Sequence, residues 1–348
     1  MTKKEFIYAL SRGLGSAYIA VRKNPEKYKK EVACLLSKCP AFDAQCEGTR
    51  SYYSYSVFCC YKEPEYFRDI IIKRFDSLSV KNRGWNTAYY AEVLVYFACD
   101  GDELAKKALF AKYKKLYNTL LKKKRLPNGV FPERDNFEYI CNALRVSQNV
   151  YDRIATDIGK LFFSNKIFDG GSFGWFASNS QFKRLARKKN KNKYQSIFVN
   201  AVNEYEAEME RARQERLNDP IYLAERDERR KRFLGRELFK EFSLPSNESD
   251  LLKLLNVLGT DKHNENCRHS FHSDILTLLR RKNAPIYVKS ALPIIYSTTR
   301  CSYCREKAFT EMARRRMLTE TIIEECLYDC NSDIVRLAKR KSKRFSNR

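Results

Sequence analysis

At 348 residues the chain can bury a substantial core, either as two or three compact units or as one extended array. A hydrophobic fraction of 43% excludes a disordered polymer, and only 12 Gly and 9 Pro argue against a many-stranded β fold, whose turns consume those residues. Lys and Arg number 67 against 42 Asp and Glu, a formal charge of +25 that attracts nucleic acid, anionic membrane or an acidic protein surface.

The start Met1-Thr2-Lys3-Lys4 has the charge of a signal-peptide n-region, but Glu5 and Arg12 interrupt the adjoining stretch and no apolar h-region forms. The longest apolar stretches fall well short of the roughly 18 residues a spanning helix needs, so a cytoplasmic protein without a membrane span is expected. The 12 cysteines are scattered, include the adjacent pair Cys59-Cys60, and read mostly as reduced core residues. Asp43, Cys46, Glu47 and Arg50 form a dense polar cluster. A thiolate beside Arg50 is chemically conceivable, yet no histidine lies nearby in sequence, so a turn at Asp43 and a Glu47–Arg50 pair is the expectation. Tyr52, Tyr53, Tyr55, Phe58 and Tyr61 read as helix-packing aromatics.

Asn86 is placed to cap a helix carrying Tyr90, Val93, Leu94 and Phe97, and Cys99-Asp100-Gly101 to turn the chain. Asp102 then caps a second helix with an apolar face of Ala105, Ala108, Leu109, Tyr113, Leu116 and Leu120. Two amphipathic helices joined so tightly must stack on a neighbour to bury both faces.

The middle changes character. Residues 164–180 have a loop composition, with Gly170, Gly171 and Gly174, and they hold Trp175, an aromatic able to stack on a base. Next come Lys183, Arg184, Arg187, Lys188, Lys189, Lys191 and Lys193 without an intervening acid, a candidate phosphate-binding run. Val202 to Phe242 is dense in Glu and Arg and broken at Asn218-Asp219-Pro220, which predicts a charged helical hairpin. Asn247 to Leu258 predicts a further helix closed by Gly259.

His263, Cys267, His269 and His272 bring every histidine of the chain within ten residues, and Cys301 and Cys304 have Cys-x-x-Cys spacing. A tetrahedral zinc site drawing Cys267 and His269 from one segment and Cys301 and Cys304 from the other is the metal expectation; core cysteines with surface histidines is the opposing reading. No other cofactor, no catalytic set and no small-molecule substrate is indicated.

The C-terminal end repeats the paired plan. Ile286–Tyr296 and Cys301–Arg315 are predicted as one pair, Thr319–Leu327 and Asn331 to about Lys343 as the next. Cys304 then aligns with Ile334 and Ala308 with Ala338, a period of about 30 residues. The strings Asp100-Gly101-Asp102-Glu103-Leu104-Ala105-Lys106-Lys107-Ala108 and Asn331-Ser332-Asp333-Ile334-Val335-Arg336-Leu337-Ala338 look like the start of the second helix in HEAT-like repeats. Together with Ala41 to Arg50 and Cys301 to Glu306, they resemble a group of bacterial HEAT-like proteins. The resemblance covers 1–145 and 285–345. It implies an all-α solenoid of stacked antiparallel helix pairs, with a charged helical insertion in the middle, that acts as a binding scaffold.

The expected organisation is therefore 1–160 and 246–348 as HEAT-like repeats flanking a basic loop and charged hairpin at 161–245. The expected function is a non-enzymatic scaffold for a macromolecular partner, an acidic protein surface or nucleic acid. The alternative is a HEAT-type nucleic-acid-binding or DNA-repair protein of the alkylbase glycosylase kind, using Trp175 and the basic run.

Overall fold

Hydrophobic residues recurring every three or four positions, with few glycines or prolines between them, leave the backbone little alternative to helix. All regular secondary structure among the described residues is helical, with no strand. A computed structural model describes residues 1–78, 84–122, 132–164, 173–234, 239, 243–260, 265–281 and 284–345. Two compact units divide the chain: Met1–Phe67 with Glu237–Arg348, and Arg68–Arg236. This division runs along other lines than 1–160, 161–245 and 246–348, because the first helices of the chain pack on the last ones. Among the described residues no helix is long and apolar enough to cross a membrane.

Unit 1 opens with α1 (Lys3–Arg12), α2 (Gly15–Lys23), α3 (Pro25–Leu35), α4 (Ala44–Glu47) and α5 (Ser51–Phe58), and the unit boundary falls inside α6 (Glu65–Ser77). Thr2 and Glu5 form a reciprocal capping box on α1, and the Asn24 side chain accepts from the Lys27 amide above a first-turn Pro25. Phe6, Leu10, Val21, Val32 and Tyr53 are buried on the inner faces.

Unit 2 contains α7 (Gly84–Cys99), α8 (Glu103–Lys122), α9 (Pro132–Leu144), α10 (Gln148–Ser164), α11 (Gly174–Ala177), α12 (Ser180–Arg187), α13 (Lys193–Asn218) and α14 (Pro220–Leu234). Asp102 caps α8 as expected, its carboxylate accepting from the Ala105 amide at 2.9 Å. Helix α7 starts before Asn86, which is thus inside the helix rather than its cap. Helices α10 and α13 cross so closely at Gly159 that a Cβ there would lie 1.9 Å from the Tyr194 carbonyl oxygen. Only the start of α13 is core: Phe198, Val199 and Val202 are buried, and beyond them the charged α13–α14 hairpin carries its residues at or near the surface. The break at Asn218-Asp219-Pro220 falls where expected, with Asp219 accepting from the Ile221 amide at 2.9 Å.

Unit 1 resumes with α15 (Glu248–Thr260), α16 (Glu265–Leu278), a 3-10 turn at Ile286–Ser290, α17 (Ala291–Thr298), α18 (Ser302–Arg314), α19 (Glu320–Cys326) and α20 (Ser332–Phe345). Gly259 lies within α15 instead of closing it. The expected single helix Ile286–Tyr296 is split because Pro293 would clash with the Lys289 carbonyl in a continuous helix. Starting the α-helix at Ala291 puts Pro293 in the first turn, where no amide donor is required. Leu255, Phe271, Ile275, Leu292, Ile295 and Phe309 build the core. Cys304, Ile334, Ala308 and Ala338, aligned by the 30-residue period, are all buried, and α18 packs on α20.

Hydrogen bonds and a close backbone approach tie the two ends of the chain together. Arg12 Nε donates to the Thr298 carbonyl at 2.9 Å, and the Cys330 amide donates to the Gly13 carbonyl at 2.9 Å. At Gly15 a Cβ would fall 1.8 Å from the Glu325 carbonyl oxygen, so α2 and α19 meet backbone to backbone.

Candidate functional site

In unit 1 the first turn of α18 assembles the chemistry. Cys301 is the N-cap of that helix, and its sulfur accepts from the Cys304 amide at 3.5 Å. Cys-x-x-Cys at a helix start turns both sulfurs toward one side, and His269 on α16 completes the group. The three ligand atoms lie within 4.8 Å of one another, with Cys304 Sγ 3.7 Å from His269 Nδ1. Cys301 and Cys304 are buried and His269 is partly buried. A hydrogen bond from the Cys304 thiol and one from His269 hold the Cys301 thiol well below its usual range despite burial. The same contacts push the Cys304 thiol upward and raise His269. The group therefore brings two sulfurs and an imidazole nitrogen to one point, a donor set suited to a soft or borderline metal ion.

Behind this point stands a buried ion-pair layer. Glu47 accepts from Arg50 Nη2 at 2.6 Å, from the Ser302 amide at 2.9 Å and from the Asp43 amide at 2.7 Å. Burial raises the Glu47 carboxyl pKa, but the Arg50 charge and these hydrogen bonds outweigh it, and the net shift is downward. Arg50 adopts a left-handed backbone, φ 58°, and is held there by donating also to the Arg300 carbonyl at 2.6 Å. The turn and ion pair expected at Asp43, Glu47 and Arg50 are thus present. One helix turn further along α18, Arg305 donates Nε to Asp329 Oδ2 at 2.9 Å and Nη2 to Oδ1 at 3.1 Å, with both side chains fully buried.

Of the four metal-site candidates, His269, Cys301 and Cys304 converge. Cys267 is two residues before His269 on α16, roughly 200° around the helix, and is not part of the group. His263 lies outside the described residues. His272 is fully buried, against the expectation of surface histidines, and neither ring nitrogen has a partner among the described residues. Of the 12 cysteines only Cys141, Cys301, Cys304 and Cys326 are buried; Cys34, Cys46, Cys59 and Cys99 are exposed, so the expectation that most are core fails.

The basic run of the middle lies in unit 2. Phe182 and Leu185 anchor α12, leaving Lys183, Arg184, Arg187 and Lys189 exposed. Three of its members serve the fold instead. Lys188 pairs with Asp152 at 3.1 Å, Lys191 donates to the Ala186 and Lys188 carbonyls, and Lys193 sits 4.2 Å from the Phe163 ring centroid. Trp175 belongs to α11, and its side chain falls outside the described residues; its neighbours Phe173 and Phe176 are buried.

Reading the aromatic run as packing missed Tyr52. Tyr53, Phe58 and Tyr61 are buried, but Tyr52 is 66% exposed. It lines an open groove of about 860 Å³ together with Tyr303, Arg336, Lys339 and Arg340. Ser302 and Tyr303, the residues between the two cysteines, form part of that wall, so the thiol group backs directly onto it. The sequence signal available was the polar-then-aromatic string Glu47 to Tyr53, in which the adjacent Tyr52 and Tyr53 cannot share one helical face.

Comparison with family models, curated proteins and solved structures finds no match to the chain.

Proposed function

We propose that this chain is a non-enzymatic helical protein that binds a macromolecular polyanion. The observation that carries the reading is the unmatched positive charge on two helices, one in each unit. Helix α12 exposes Lys183, Arg184 and Arg187, and α20 exposes Lys339, Arg340 and Lys343, none paired with an acid among the described residues. Both helices are anchored by buried apolar residues, so the charges sit on fixed supports rather than on a frayed tail. Binding of labelled oligonucleotides and heparin, measured between 50 and 200 mM salt, tests it. A steep fall in affinity with salt is expected, and no binding at the low-salt end overturns the reading.

The cofactor that fits this protein is zinc, held by His269, Cys301 and Cys304. Zn–S and Zn–N bonds of about 2.3 and 2.0–2.1 Å in a tetrahedron place S and N about 3.6 Å apart, against the 3.7 Å between Cys304 and His269. The Cys304 amide directed at Cys301 Sγ supplies an outer hydrogen bond of the kind that orients ligating thiolates. Elemental analysis of the purified full chain should give stoichiometric zinc, retained by Cys267→Ser and lost by Cys301→Ser. Cobalt(II) uptake with a thiolate charge-transfer band gives a second readout; absence of both, or a Cys301–Cys304 disulfide in its place, rejects the site.

The repeat relation of α18 to α20 supports HEAT-like stacking of the pairs α17–α18 and α19–α20 within unit 1. The free thiols accord with the reducing environment of the cytoplasm.

A further inference from the structure

We infer that the groove walled by α5, the start of α18 and α20 is a binding surface for a single-stranded polynucleotide, with Tyr52 and Tyr303 as base-stacking platforms and Lys339 and Arg340 as phosphate contacts. The inference rests on the polyanion reading above and deepens it by naming both the partner and the surface.

Charge comes first. Three acids reach the groove, and each is already matched: Glu47 by Arg50, Asp329 by Arg305, and Asp333 by Arg336 at 2.6 Å. Lys339 and Arg340 have no acidic partner among the described residues, and both are exposed. Lys307 is not a lining residue, but its ammonium lies 4.2 Å from the centroid of the Tyr303 ring. The uncompensated charge of the groove is therefore positive even though its lining residues include acids.

The aromatic surface is the second, independent feature. Tyr52 and Tyr303 are 66% and 54% exposed within the same concavity, while Tyr53, one residue along α5, is buried and donates its hydroxyl to the Leu14 carbonyl at 2.9 Å. A second concavity of about 380 Å³ shares Tyr52 and Lys339 with the first and adds Tyr18 and Tyr328, which stack at 4.7 Å. The two hollows therefore adjoin at Tyr52 and Lys339, with the stacked Tyr18–Tyr328 pair lining the smaller one. Stacking needs bases whose faces are uncovered, which a single strand offers and a duplex does not. An acidic peptide would use the cations and leave the ring faces without matching π surfaces.

The support beneath the groove is rigid. Tyr303 rises from the turn between Cys301 and Cys304, and Ser302 is fastened to Glu47, so the platform is fixed at its base. Tyr52 comes directly after Arg50 and Ser51, both buried.

The test uses the full chain with labelled oligothymidylate and oligouridylate, a duplex of mixed sequence, polyglutamate and heparin. Single strands should bind more tightly than the duplex and polyglutamate. Tighter binding of the ribo or the deoxy strand assigns the sugar. Tyr52→Ala and Tyr303→Ala should each weaken single-strand binding about tenfold. Their melting curves should stay unchanged, since both side chains are exposed. Lys339→Glu with Arg340→Glu should weaken binding and flatten the log–log salt slope by about 1.4, from about 0.7 per lost phosphate contact. Equal binding of duplex or polyglutamate, or tyrosine variants that bind like the parent, overturns the inference. If heparin and oligonucleotides still bind in that case, the polyanion reading stands without this groove; if nothing binds, both fall.

Discussion

Arg305 and Asp329 form a two-bond ion pair in which both side chains are wholly removed from solvent, and Arg305 Nη2 also donates to Cys330 Sγ at 3.1 Å. Two charges withdrawn from water are stable only together. Asp329→Ala should lower the stability of unit 1 by about 3–5 kcal/mol, because it strands a buried guanidinium. Replacing both residues by apolar ones of similar size should recover most of that loss. Both tryptophans, Trp85 and Trp175, belong to unit 2, so tryptophan fluorescence follows that unit alone, and unit 1 is the part of the far-UV circular dichroism transition that fluorescence does not follow. A shift in the fluorescence transition alone would show that the pair does not stabilise unit 1.

His272 has its pKa lowered to about 3 by burial, with the charges of Arg268 and His269 adding to the effect. The folded state therefore excludes a proton that the unfolded chain takes up near pH 6.5. Stability is complete above that value and should fall by about 1.4 kcal/mol per unit as pH drops from 6.5 toward 3. His272→Leu should remove this slope, measured as urea midpoints across that range; an unchanged slope rejects the assignment.

Glu47 contributes a second acid dependence at lower pH. Its carboxyl titrates below the ordinary value of 4.5 in the folded chain, so its contribution is present above 4.5 and disappears as pH falls through the depressed value. Glu47→Gln should be less stable than the parent at neutral pH, with the gap closing in acid. A gap independent of pH would mean that the residue acts through shape alone.

Gly15 and Gly159 report on the two units separately. Gly15→Ala should push α2 from α19 in unit 1, and Gly159→Ala should push α10 from α13 in unit 2, each against a main-chain carbonyl that has little room to move. A loss of about 1–3 kcal/mol is expected in each case. It should appear in circular dichroism for the first and in tryptophan fluorescence for the second. Neutral behaviour at either site would contradict the close crossing.

Helix content was legible in the sequence wherever local chemistry decides it. The Asp102 cap, the Asp219-Pro220 break and the spacing of Leu109, Tyr113 and Leu116 all act within one or two turns. Pro293 was equally local, but its consequence depends on where the helix begins, and that is settled by packing of Val288 and Ala291 in the core. The association of chain ends left no local mark: nothing near Gly15 indicates that Glu325 will lie against it. The cluster of His269, Cys301 and Cys304 was half legible for the same reason. Cys301 and Cys304 can be read from spacing, and His269 from clustering with the other histidines. The choice of His269 without Cys267 is set only by which side of α16 faces α18. Tyr52 was hidden because aromatic residues in a helix usually pack, and its exposure depends on how α20 is placed beside α5.

The construction of unit 1 from both ends of the chain sets a timetable for synthesis. Arg12 leaves the ribosome 286 residues ahead of Thr298, its hydrogen-bond partner. At 5–20 residues per second that is a delay of roughly 15–60 s. Throughout it, α2 lacks α19, the helix whose backbone closes on Gly15, while every segment of unit 2 emerges and is free to fold. Residues 1–67 must therefore wait for the segment from Glu237 onward before unit 1 can close, whereas unit 2 is one uninterrupted stretch.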